Sequence, residues 1–440
     1  MRKLFILSFF SFIFSVNSFA QKVDFEEYKL NNGLHVILHQ DNSAPVVTTS
    51  VMYHVGAKDE AKGRTGFAHF FEHLLFEGTK NIPKGEFFKI VSANGGKNNA
   101  NTTQDRTYYY ETFPSNQLAL GLWLESERML HPVINQDGVD TQNEVVKEEK
   151  RARIDNAPYG KIIYRTGINK HVFKKHPYKN SVIGSMEDLN AAQLNEFLAF
   201  HKKYYVPNNA VLVVAGDFEK GKTKQLIEDY FGNIPRGKEV PKVNIKEDEI
   251  TETIKVTEYD NNIQIPIKLF VYRTPSNKAK DAYVLDMVSS ILTGGKSSRL
   301  YKKLVDNKKA LQVLAFNDSQ EDYGTYIMGA LPLGDITLEQ LGAEMDEEIE
   351  KLQTELISER EYQKLQNRFE NQFVNSNSGV QNIANSLARN YMLKGNTNLI
   401  NKELDIYRSI TREDIRNAAK KYLQKNKRVD MDYLPKKTEQ

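Results

Sequence analysis

The stretch GFAHFFEHLLFEGT, residues 66–79, carries an apolar run from Phe67 to Phe76 that is interrupted by only three polar side chains, His69, Glu72 and His73. A buried polar group costs free energy unless it finds a partner, so these three need a reason to be there. The flanks read as a helix, and at about 100° per residue positions 69 and 73 differ by roughly 40° and positions 69 and 72 by roughly 60°. All three therefore project from one face.

Two histidines one turn apart can bind one divalent ion, and a glutamate beside them can reach a water on that ion. The pattern is H-x-x-E-H, the inverse of the commoner H-E-x-x-H zinc motif. Zinc accepts imidazole and carboxylate ligands, and a catalytic site keeps one position open. On this reading His69 and His73 hold the metal and Glu72 is the general base. The chain has no cysteine, so a zinc ion must be held by His and carboxylate groups alone. A lone histidine on an apolar helix is usually a hydrogen-bonded core residue; a pair with an intervening Glu is not so easily dismissed.

A third ligand must come from another element. The helical stretch DTQNEVVKEEKRARID, residues 140–155, supplies Glu144, Glu148 and Glu149, and spacing alone does not choose among them. Without the motif upstream, that stretch would read as a solvated charged face.

Working outward, short β-rich runs alternate with amphipathic helices. GLHVILHQ, PVVTTSVMYHVG and RTYYYETF alternate like strands, and NAVLVVAGD reads as a buried strand. QLALGLWLESERML and MEDLNAAQLNEFLAFHKKYY read as helices, the second opening on Ser185 with Asp188 three residues on, a capping-box signal. GGKNN, residues 95–99, reads from composition as a turn.

The charged, Pro-containing stretch 235–249 has no sustained period and marks a linker. After it the order repeats, with strands (QIPIKLFVYRT, GTYIMGALPL), the helix KDAYVLDMVSSILTGG and further long helices. KKYYVPNNAVLVV from Lys202 and KKYLQKNKRVDMDY from Lys420 lie 218 residues apart, each ending a helix that opens on a capping signal. At the nearly equal offset of 216, Leu285, Val288 and Ser289 fall opposite His69, Glu72 and His73. The expectation is two duplicated α+β domains, 21–234 and 250–440, of which only the first carries polar chemistry on that helix.

The N-terminus reads as targeting. Arg2 and Lys3, an apolar run from Leu4 to Val16 and the small-residue exit Ser18-Phe19-Ala20 make a secretory signal over 1–20, too short for a membrane span. The mature chain is then expected to be exported, periplasmic or secreted. No later segment offers a span. Removing Arg2 and Lys3 leaves 58 basic against 57 acidic residues, a net of +1, which points away from nucleic acid and anionic membranes.

GRTGFAHFFEHLLFEGT, GGKNNANTTQDRTYYYE, VVKEEKRARID, HPYKNSVIGSMEDL and KYYVPNNAVLVVAGDF together resemble the successive signatures of the pitrilysin/insulinase family of zinc metallopeptidases, densely from about 30 to 217 and loosely thereafter. The size resembles the short subfamily that includes bacterial processing-peptidase-like proteins. The resemblance implies a clamshell of two insulinase-like domains, each an antiparallel sheet covered by helices, and one Zn2+ per chain. It implies that Glu149, in VVKEE, is the third ligand. Another family glutamate earlier on the same face corresponds to Gln142, which would orient a ligand by hydrogen bonding. Asn99 and Ala100 match the sheet edge along which family members bind an extended peptide.

One departure stands out. Active relatives place an Arg and, seven residues later, a Tyr in the second domain to stabilise the oxyanion; here those positions are Val305 and Gln312, and Arg299 and Tyr301 belong to the preceding helix pattern. The expected function is zinc-dependent endopeptidase cleavage of peptides or unfolded segments, with a homologous partner chain supplying the Arg/Tyr pair; the expected assembly is a heterodimer with that partner, or a homodimer. The rival is a non-catalytic peptide-binding scaffold subunit.

Overall fold

The computed structural model describes residues 22–436, so the expected export segment 1–20 lies outside the described residues. The first half holds strands β1 (Glu26–Lys29), β2 (His35–Gln40), β3 (Val46–Tyr53), β4 (Lys97–Thr102), β5 (Thr107–Pro114) and β6 (Ala210–Gly216). Its helices are α1 (Phe67–Leu74), α2 (Phe87–Ala93), α3 (Leu118–Leu130), α4 (Gln136–Lys150), α5 (Gly160–Ile163), α6 (Thr166–Val172), α7 (Met186–Ala191), α8 (Leu194–Tyr204) and α9 (Lys220–Phe231). The second half holds β7 (Ile254–Asp260), β8 (Ile267–Thr274), β9 (Ala310–Ser319), β10 (Gly324–Pro332) and β11 (Arg428–Pro435). Its helices are α10 (Lys280–Thr293), α11 (Leu338–Thr354), α12 (Glu359–Ser376), α13 (Val380–Lys394), α14 (Leu399–Arg408) and α15 (Arg412–Tyr422).

The strands form two sheets, ordered β1-β2-β6-β3-β5-β4 and β7-β11-β8-β10-β9. Apart from the extra β1 the orders correspond strand for strand, and α1 and α10 occupy the same place between the second and third strands of the shared pattern. The helix starts Leu194 and Arg412, and the strand starts Ala210 and Arg428, keep the 218-residue offset of the sequence repeat. The sheets are not wholly antiparallel. β2 pairs with β6, and β7 with β11, in parallel. The last strand of each half returns beside the first strand of the shared pattern, β2 or β7, after a long helical crossover, which a parallel pair requires.

Residues 97–102 form a strand rather than the turn that composition indicates, because they pair along their length with β5, Asn99 opposite Tyr110 and Ala100 opposite Tyr109. β4 is the outermost strand of its sheet. The helix expected over 186–205 breaks at Ala192 and Gln193, whose backbone is extended.

Both faces of each sheet are covered, and the halves exchange covers. The inner face of the first sheet, with Val36, Leu38, Val51, Leu212 and Tyr109, packs into a core shared with Phe67, Phe70, Phe71 and Leu122. Its outer face, with Ile37, Met52, Val211 and Val213, is covered by Ile383, Ala384, Leu387 and Ala388 of α13, a second-half helix. Conversely Ile162, Ile168 and Val172 of α5 and α6 lie against Leu269, Val271, Val429 and Met431 of the second sheet. This explains why β6 is buried at every position.

A buried polar knot also joins the halves. The Lys58 ammonium sits 3.0 Å from Asp105, 2.8 Å from Glu321 and 3.1 Å from Asp322. The backbone N–H of Glu321 donates to Asp105 at 2.9 Å, and that of Asp322 to the Tyr178 hydroxyl at 3.0 Å. Thus the β4–β5 turn is tied to the β9–β10 turn, and a cavity of about 710 Å³ opens beside the junction.

Candidate metal centre

Helix α1 is anchored at both ends. It is entered through Gly66 at φ +95°, where an added Cβ would lie 2.7 Å from the Ile183 carbonyl oxygen. Its first free amides are taken by the buried Glu60 carboxylate, which accepts from the N–H of Gly66 and of Ala68 at 2.9 Å each. Such groups have no partner within the helix, so a carboxylate there relieves them and complements the helix dipole. Asp188 accepts from Thr65 N–H at 2.9 Å. The capping box expected at Ser185 is therefore only half realised: Ser185 accepts from Asp188 N–H at 3.1 Å, while the Asp188 carboxylate is spent on Thr65. At the other end the Tyr109 hydroxyl donates to Phe71 O at 2.7 Å, and the buried Arg128 donates to Leu75 O at 3.4 Å.

The aromatic face of α1 fixes its rotation. Phe67 stacks on Phe197 at 4.4 Å and Phe71 on Phe200 at 5.6 Å. That leaves the other face, with His69, Glu72 and His73, turned toward α4 and β4.

On α4 the Glu149 carboxylate meets both imidazoles. Its Oε2 lies 3.5 Å from His69 Nε2 and 3.2 Å from His73 Nε2, while Oε1 is held by Arg153 at 2.7 Å. Four ligands around an ion at 2.0–2.1 Å stand about 3.3–3.4 Å apart, so these separations suit a tetrahedral ion with one corner left over. Glu149 Oε2 is buried and accepts no hydrogen bond, an orphan that a cation would satisfy. Among the described residues these three are the group whose ligand atoms converge in this way. The donor set, two nitrogens and one oxygen, fits zinc.

Electrostatics keep the donors in ligand form. Burial, reinforced by His73, pushes the His69 imidazole down to about 4, so its lone pair is free at neutral pH. Burial alone would raise Glu149, but His73, His69 and Arg153 outweigh it and hold the carboxyl below its ordinary value. Glu72 is not part of the ligand cluster. Burial raises its carboxyl above the usual range, opposed by the Thr102 hydroxyl, which donates to Glu72 Oε2 at 2.7 Å. Thr102 ends β4, so the outer sheet edge and Glu72 are in direct contact. Nothing in the sequence pattern singled out Thr102, Glu60 or Arg153.

The remaining residues are placed as follows. Asn99 and Ala100 lie on β4, and the Ala100 N–H donates to the Asn99 side-chain oxygen at 2.9 Å. Gln142 lies on α4, but its amide donates to Glu77 and not to a ligand. Glu144 and Glu148 pair with Lys147 and Arg151 at the surface. Val305 lies in the helical turn Tyr301–Asp306 and Gln312 is exposed on β9, while Arg299 is committed to Glu361 at 2.9 Å. On α10, Leu285 and Val288 are buried and the Ser289 hydroxyl donates to Leu285 O at 3.0 Å, so that helix carries no comparable cluster.

Two family models match the chain: Insulinase (Peptidase family M16) over residues 35–185 and Peptidase M16 inactive domain over residues 191–369. The chain is 32% identical over 367 residues to the zinc protease PqqE of Helicobacter pylori, covering 82% of each. It superposes on the crystal structure of a protease from Helicobacter pylori with a TM-score of 0.88 at 28% identity, covering 93% of this chain and 99% of that one. The first half of the periplasmic protease PqqL from Escherichia coli shares the fold alone, with a TM-score of 0.76 at 18% identity over 94% of this chain and 93% of that one. Among the described residues no helix is long and apolar enough to cross a membrane.

Proposed function

This chain belongs to the M16 insulinase family of peptidases, and on that footing we propose that it is a zinc-dependent endopeptidase acting on peptides or unfolded segments. The observation that carries this reading is the convergence of His69, His73 and Glu149, with Glu72 beside them and joined through Thr102 to an outer strand. A bound zinc ion would polarise the scissile carbonyl and make a water nucleophilic near neutral pH.

The chain's own groups do the rest. Glu72 takes a proton from the attacking water as oxygen bonds to the carbonyl carbon. It then delivers that proton to the leaving nitrogen as the C–N bond breaks. Asn99 and Ala100 on β4 receive the substrate as an added strand, which gives affinity through main-chain bonds without demanding one sequence. For this the Asn99 side chain must swing off the Ala100 N–H.

The same reading includes a cleaved export signal over 1–20 and a division into 21–234, a linker 235–249 and 250–440. With Val305 and Gln312 where an Arg/Tyr pair is expected, oxyanion stabilisation falls to a homologous partner chain. That departure also favours a second reading, a peptide-binding scaffold subunit without hydrolytic activity.

The test is hydrolysis of an internally quenched peptide library by the mature chain, with and without chelator, beside Glu72→Gln, with bound zinc measured in parallel. Chelator-sensitive cleavage lost in the variant supports the peptidase. A chain that binds one zinc yet stays silent, even with its homologous partner added, supports the scaffold.

A further inference from the structure

The cavity at the junction of the halves is lined by polar and apolar groups alike and reaches Thr102, the partner of Glu72, and most of its charged groups have a partner. Arg165 pairs with Asp318 at 3.2 Å, Lys394 with Glu403 at 3.1 Å, and Asp105 with Lys58 at 3.0 Å. Asp286 accepts from Asn317 at 3.3 Å and from the Tyr407 hydroxyl at 3.1 Å. Two guanidiniums are left over, one from each half. Arg106, at the start of the β5 hairpin arm, donates only to the carbonyl and side-chain oxygens of Asn101. Arg389, exposed on α13, makes neither a hydrogen bond nor an ion pair among the described residues. Burial lowers Arg106 to about 10; Tyr108, Glu72 and Asp105 oppose that shift, while the field of Arg389 adds to it.

We propose that Arg106 and Arg389 form a subsite for a carboxylate of the bound peptide, so that the chain prefers peptides carrying a negative charge close to the scissile bond. The proposal rests on the peptidase reading for the identity of the ligand as a peptide. A guanidinium presents a planar fork that matches a carboxylate, and two of them facing one recess attract an anion while repelling each other in its absence. Position supports the same conclusion. β4 runs toward Thr102, which touches Glu72, and Arg106 follows four residues later, so a strand laid along β4 delivers its side chains or its end to this recess. The carboxylate can come from an acidic side chain or from the peptide's own C-terminus, and both have the same chemistry.

The test reads binding rather than cleavage. Zinc-loaded Glu72→Gln of the mature chain is titrated by fluorescence anisotropy against four labelled peptides of equal length: one with a central Glu and an amidated end, one neutral with a free C-terminus, one neutral and amidated, and one with a central Lys and an amidated end. A carboxylate from the favoured source should tighten binding about tenfold over the neutral amidated peptide, and the Lys peptide should bind weakest. Arg389→Gln, whose side chain holds nothing in place, should remove most of that preference. Arg106→Gln should do the same, and Arg106→Lys should keep part of it and controls for the fold. Equal affinities for all four peptides, or a preference that survives both glutamine variants, overturns the subsite. Absence of hydrolysis in the unmodified chain would count against the peptidase and leave this result standing.

Discussion

Replacing Lys58 by Met tests whether the polar knot holds the halves together. The Lys58 side chain is 6% exposed and lies within 3.1 Å of three carboxylates, two of them from the other half. Removing one partner of a buried ionic group leaves the others uncompensated, at a cost of about 3–5 kcal/mol. The lower end applies here, because Asp105 still accepts from Glu321 N–H, Glu321 still meets His54 at 2.7 Å and Lys278 at 3.1 Å, and Asp322 still faces His176. For a chain of this size with an unfolding entropy of about 2 cal/mol/K per residue, a loss of about 3 kcal/mol lowers the midpoint by roughly 3–4 °C. Calorimetry measures that shift, and small-angle scattering measures whether the halves part before they melt.

The pH dependence has a definite sign. Burial alone would raise the Glu321 carboxyl, but His54 and Lys58 outweigh it and hold it far below its ordinary 4.5. A depressed carboxyl contributes stability that is present above its unfolded value and is lost as pH falls through its folded value. The variant's deficit should therefore be largest at neutral pH and shrink in acid. An unchanged midpoint with unchanged scattering would refute the idea that this knot joins the halves.

Other perturbations address the site and the cavity. Glu72→Gln should lower turnover by about 10²–10⁴ while keeping the metal, whereas Glu149→Gln should lose metal as well, both read by peptide hydrolysis beside atomic absorption. Gly66→Ala forces a side chain into φ +95° against a carbonyl 2.7 Å away and should cost about 1–3 kcal/mol in denaturant unfolding, with weaker zinc binding as α1 shifts. Burial pushes the Asp286 carboxyl from 3.8 up to about 6. A raised acid disfavours the folded state as it ionises, so Asp286→Asn should gain about 2 kcal/mol over the parent between about pH 4 and pH 7, once the carboxyl's partial exposure to the cavity is allowed for. A gap that does not widen with pH in chemical denaturation would count against that assignment.

Much of this architecture can be read in the sequence where local pattern and tertiary packing agree. The alternating runs became β2, β3 and β5 and the buried run β6, and the 218-residue offset between KKYYVPNNAVLVV and KKYLQKNKRVDMDY is also the offset between the starts of α8 and α15. His69, Glu72 and His73 are legible because helical geometry alone puts them on one face. Glu149 is not, since Glu144 and Glu148 share its chemistry and only the fold separates the one turned to the imidazoles from the two turned to solvent. The β4 strand was hidden because Lys97–Thr102 has little strand propensity and is extended only through its pairing with β5. Thr102 was invisible for the same reason, and Asp188 misled because its carboxylate prefers a partner 123 residues away to its own helix.

The exchange of α13 for α5 and α6 sets the meaning of the stretch between the halves. Neither sheet is clothed by its own polypeptide segment alone, so a half released by itself would present the bare outer faces of Ile37, Met52 and Val213, or of Leu269, Val271 and Met431, to water. A break in the main chain at 235–249 would therefore leave two fragments that remain each other's lid, and that have to meet while folding to cover those faces.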